Sequence, residues 1–146
     1  MSRSGYDDDY CDDELAAGRW RGMVASAIRG RRGQAFLREM LAALDAMPEK
    51  RLIAEDLVNE DGDVCAMGVV GRCRGLDMEN LDPEDPEQVA KFFGIAEPLV
   101  QEIAYENDEK RIWDAKLNGC RDATPEERWW RMREWVVGNI KQEPTP

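Results

Sequence analysis

From Glu14 onward, large apolar side chains return at three- and four-residue steps. Leu15, Trp20, Met23, Val24, Ala27 and Ile28 mark one helix, which Gly30 can end. Gly33 opens a second run in which Phe36, Leu37, Met40, Leu41, Leu44 and Met47 form a wide apolar face, stopped by Pro48. So short a link predicts a helical hairpin. The stretch from Arg51 to Val58 fits either a short helix or one arm of a hairpin turning at Asp61-Gly62, and helix is the favoured reading. From Val64 to Gly71 the chain is almost wholly small or apolar, which predicts a buried central element. Gly71 and Gly75 are spaced for close backbone approach on one helix face.

Punctuation is clearer in the second half. Asp85-Pro86 with Gln88 at the third helical position predicts a cap, a helix start and an end at Gly94. Pro98 begins another helix through Leu99, Val100, Ile103 and Ala104, and Ile112, Trp113 and Leu117 suggest one more helical piece before Asn118-Gly119 turns the chain. Thr124-Pro125-Glu126-Glu127 has the form of a capping box, so the last helix starts at Pro125 and runs to about Ile140. Its stripe is Trp129, Met132, Val136 and Ile140, which leaves Trp130 to one side and Trp135 nearly opposite.

The fold expected is all-α, a compact single-domain bundle of six or seven short helices over residues 15–141. It includes a helix-turn-helix-like pair in which Ala90 sits at the crossing and Gly94 in the turn. Residues 1–14, with six carboxylates and one arginine, read as a disordered acidic tail, and 142–146 as a frayed end.

Composition narrows the chemistry. The chain has 146 residues, 31 acidic and 20 basic, for a formal charge of -11 and no histidine. Lack of histidine removes His-assisted nucleophiles and His-ligated metals, and the acidic field disfavours nucleic acid and anionic membranes. Cys11, Cys65, Cys73 and Cys120 lack the close pairs of a zinc site and read as reduced thiols. The 59–63 stretch fails as a calcium loop, since the first ligand would be Leu57 and the twelfth Gly68. The glycine-containing run 64–75 matches neither a P-loop nor a dinucleotide turn. Carboxylates are too numerous to mark a catalytic pair, so no catalytic residue, metal or cofactor is assigned. No run is long enough to span a membrane, and Met1 to Tyr6 leads into carboxylates rather than a signal-peptide core, which predicts a soluble cytoplasmic protein.

Charge is unevenly placed. Residues 77–109 carry eleven carboxylates against one lysine, a net -10, and residues 15–51 a net +5. The acidic candidates for partner binding are Asp82, Glu84, Asp85, Glu87, Glu97, Glu102, Glu106 and Asp108. The aromatic and basic candidates are Trp130, Arg131 and Trp135, either core or interface and open to a contact between copies of the chain. Arg29, Arg31 and Arg32 are the candidates for phosphate contact, against the plainer reading of a solvated basic edge.

In Arg21-Gly22, Ser26 through Leu37, Ala42 through Pro48, Gly62 through Gly68 and Leu81 through Asp85, the sequence resembles small acidic proteins encoded by bacteriophages and prophages. The likeness covers residues 15–140. It implies a setting, a phage product inside a bacterial cell, and no activity. The expected function is a non-enzymatic accessory protein that binds a basic host or phage protein, blunting a defence or nucleic-acid-binding system. The alternative is a helix-turn-helix DNA regulator, with a carboxylate-metal enzyme third.

Overall fold

The computed structural model describes residues 2–6 and 14–142. In order they form α1 (Glu14–Arg29), α2 (Arg31–Ala46), α3 (Ala66–Cys73), α4 (Pro86–Phe93) and α5 (Glu97–Ala104). A π-helical turn (Tyr105–Glu109), β1 (Ile112–Asp114), β2 (Gly119–Arg121) and α6 (Pro125–Asn139) complete the chain. The protein is mostly helical with a two-stranded antiparallel hairpin, in which Trp113 pairs with Cys120.

The predicted caps are formed. Asp85 accepts from the Gln88 amide, Pro86 starts α4, and Gly94 ends it at φ +75°. Thr124 and Glu127 complete the reciprocal capping box of α6. Between them, α2 packs on α1, α3 and α6, while α5 packs on α1, α4 and the π turn. Leu37, Met40 and Leu44 of α2 meet Val69 and Val70 of α3, Leu99 and Ile103 of α5, and Met132 and Val136 of α6 in one core. The helix-turn-helix-like pair of α4 and α5 is present, with Ala90 buried.

Four expectations are corrected. Residues 51–58 are not a helix. The Leu52 amide donates to the Pro125 carbonyl and the Ile53 amide to that of Val64, Glu55 takes φ +73°, and a lone bridge joins Val58 to Val64 across the 59–62 turn. Ile112–Leu117 is a strand and a turn rather than a helix, because Asn118 adopts φ +48° and Arg121 reaches back to Asp114 at 2.9 Å. Gly75 does not face another backbone; it follows α3 at φ +70°, and the close approach belongs to Gly68, where a Cβ would collide with the Leu57 carbonyl oxygen. Residues 2–6 are not a loose tail: Arg3 and Ser4 are buried. Residues 7–13, on which the same expectation rested, lie outside the described residues.

Candidate functional site

The acid-rich stretch divides in two. Its C-terminal part is inside the fold. The Arg3 guanidinium forms a bidentate pair with Asp108, both bonds at 2.6 Å, and the two side chains are only 4% and 5% exposed. Beside it, Asn107 accepts from the Ala66 amide and donates to the Ile53 carbonyl and to Asp108. Arg128 donates to the carbonyls of Asn107, Leu52 and Ala123. The π turn makes this hub, since its widened backbone aims Asn107 inward while its carbonyls receive two arginines of α6. Glu106 is buried, its carboxyl pushed up by burial, and faces Lys110 at 3.4 Å. Glu102 accepts from the Tyr6 hydroxyl at 2.7 Å, and burial with that bond raises the Tyr6 phenol.

Asp108 and Glu106 are therefore corrected as partner-binding residues: Asp108 is held by the buried Arg3, and both carboxyl groups are shielded from a partner. Glu102 is half-buried beneath Tyr6. Arg131 is corrected too, because its guanidinium is spent on the carbonyls of Glu106, Asn107 and Lys110. Trp135 packs against the core, whereas Trp130 stays 59% exposed, edge-on to the buried Trp129. Arg29, Arg31 and Arg32 are exposed at the α1–α2 junction and make no ion pair among the described residues. In α5 only Glu97 is exposed, so this helix offers no basic face for a DNA groove.

The N-terminal part of the stretch behaves differently. Asp82, Glu84, Asp85, Glu87 and Glu97 are all exposed. Asp77, Asp82 and Asp85 each give one oxygen to an amide two or three residues on, which shapes the loop without neutralising it. Glu87 meets Lys91 at 3.1 Å in an exposed pair worth little. Asp77, Glu79, Asp82, Asp85 and Glu97 make no ion pair among the described residues.

Next to this loop lies a groove of about 680 Å³ between the 56–62 turn and the 76–83 loop. Leu57, Val58, Leu76, Met78 and Leu81 line it, and Asp56, Glu60, Asp77 and Glu79 stand around them. Val58 and Leu76 remain 40% and 37% exposed side by side in this groove. α3 is the base. Gly68 lets the Leu57 backbone sit directly on it, and Gly71 does the same for the Met78 side chain, whose sulfur occupies the space a Cβ would need. Residue-by-residue reading missed this groove. Its signal was available: Leu76, Met78 and Leu81 interrupt an acidic run that has no helical period to bury them.

Among the described residues no helix is long and apolar enough to cross a membrane, and no group of three or more Cys, Asp or Glu side chains is placed to hold a metal ion. Comparison of the chain with protein-family models, with curated proteins and with solved structures finds no match.

Proposed function

We propose that this protein is a non-enzymatic accessory protein of phage or prophage origin that binds a basic surface of a host protein. One observation carries the reading: the exposed carboxylates of Asp77, Glu79, Asp82, Asp85 and Glu97 make no ion pair among the described residues. Such charges raise the local concentration of a cationic partner and speed its docking. Where the partner's basic groove serves nucleic acid, carboxylates occupy the places of phosphates and the protein acts as an inhibitor.

The test is affinity capture from bacterial extract with a salt gradient. Basic, nucleic-acid-binding proteins are expected to elute between about 50 and 200 mM salt, and competing DNA to release them. Capture unchanged over that range counts against the reading. Reversal of Glu102 and Glu106 is no test, since both are tied into the fold. A second reading, DNA contact, is favoured only by Arg29, Arg31 and Arg32 at the α1–α2 junction, which are exposed and make no ion pair among the described residues. A low-salt gel shift that Arg29, Arg31 and Arg32 to alanine abolishes would establish it, and no shift at micromolar protein dismisses it.

A further inference from the structure

We propose that the groove between the 56–62 turn and the 76–83 loop is the docking site for a short apolar segment flanked by lysine or arginine on the partner protein. This rests on the reading above and specifies what the partner must offer. The lining selects the apolar part. Val58 and Leu76 present carbon surface to water, and covering it is favourable only for a side chain that has no polar group to desolvate. Rim charge selects the flanks. Asp56, Glu60, Asp77 and Glu79 make no ion pair among the described residues, and the one cation in the lining, Arg72, donates to the Gly62 carbonyl at 3.2 Å. An acidic or neutral segment leaves those four carboxylates unanswered, whereas a basic one gains from all of them.

The longest of the chain's own segments outside the described residues is a poor occupant. Residues 7–13 contain five aspartates, which the rim repels. Both walls are held before anything binds. The Asn59 side chain accepts from the amides of Asp61 and Asp63, the Asn59 amide donates to the Asp63 carbonyl, and Arg72 ties that turn to α3. Across the groove, the Leu76 amide donates to the Gly71 carbonyl, the Leu81 amide to that of Met78, and the Asp82 amide to Gln88. A preformed site of this kind loses little freedom when it is filled.

The probes are two fluorescein-labelled lysine-rich peptides of equal length and charge, one with two leucines four positions apart, the other with serines in their place. Binding is read by fluorescence anisotropy and by methyl NMR of the full chain. The leucine peptide is expected to bind about tenfold tighter or more, shifting the methyls of Val58, Leu76 and Met78 while leaving Met132 in place. Leu76→Asn, at a partly exposed position, should erase the difference between the peptides without changing affinity for the serine form, and Val58→Asn should repeat this. Equal binding of the two peptides, unaffected by either variant, overturns the groove proposal while leaving the electrostatic reading standing. No salt-sensitive binding of either peptide overturns both. A dimer in sedimentation that Leu76→Asn dissolves would put a second copy in the groove and overturn the partner segment.

Discussion

Two acid-rich stretches of this molecule use their carboxylates in opposite ways. Around the π turn, Asp108 is clamped by Arg3, Glu106 faces Lys110 and Glu102 takes the Tyr6 hydroxyl. Asp77, Asp82 and Asp85 each bond to a nearby amide, and with the exposed Glu79 they make no ion pair among the described residues. In the sequence both belong to one run of net -10. Backbone decides the difference. α5 and the π turn have apolar faces that must be buried, so their acids are carried inward and need partners; the 77–85 segment is loop, and buries little beyond Met78 and Leu81. Net charge is a sum, while recognition depends on which part of that sum reaches water.

Breaking the inner set should have the largest effect. Arg3→Ala leaves Asp108 buried without its cation and should cost about 3–5 kcal/mol in urea unfolding. A loss below about 1 kcal/mol would mean that the pair contributes like an ordinary surface bridge. Gly68→Ala places a methyl on the Leu57 carbonyl and should cost about 1–3 kcal/mol, moving one wall of the groove as it does so. Thr124→Ala removes half of the capping box and should cost about 1 kcal/mol. At the rim of the groove, which joins the outer set to Asp56 and Glu60 of the facing turn, the same experiment should show almost nothing. Asp56→Lys, Glu60→Lys and Glu79→Lys each should change stability by less than about 0.5 kcal/mol.

Titration separates the sets further. Hydrogen bonds from Arg121 and the Thr124 amide hold the Glu127 carboxyl down to about 2, and Arg133, Arg121 and Arg74 lower Asp45, Asp114 and Glu39. A depressed folded value means that stability is present above the ordinary carboxylate range and is lost as pH falls from about 4.5 toward 2. Glu106, raised by burial, works in the other sense, favouring the fold when protonated. Tyr6 is raised from its ordinary value of 10, so stability should decline as pH climbs above 10. Tyr6→Phe should remove that alkaline decline, and a variant with the same alkaline curve would contradict the Tyr6 assignment.

Much of the helical frame was legible because its signals are local. Asp85-Pro86, Gly94 and Thr124-Pro125-Glu127 fix ends through bonds within one turn, and the Trp129–Met132–Val136 stripe buries as its period requires. Residues 51–58 do not form the favoured helix because the Leu52 amide answers a distant carbonyl at Pro125, while the Ile53–Val64 bond and the Val58–Val64 bridge follow the alternative hairpin turning at Asp61-Gly62. The hairpin had a signal that went unused, since Ile112-Trp113 followed by Asn118-Gly119 is strand chemistry before a turn. Arg3 and Asp108 lie 105 positions apart and carry no local mark of their pairing. The candidate surface was half visible: the acids of 82–87 and Glu97 are where the charge pattern put them, but Leu57, Val58 and Leu76 acquire meaning only once α3 brings the two loops together.

The most direct test is a salt titration of lysine-peptide binding by the wild-type chain and by the triple variant Asp56→Lys, Glu60→Lys, Glu79→Lys. The wild type should lose affinity steeply between about 50 and 200 mM salt, and the variant should bind weakly throughout while keeping the same urea midpoint. Parallel salt curves of equal affinity for the two proteins would show that the carboxylates at the groove rim recruit nothing, and would contradict the account.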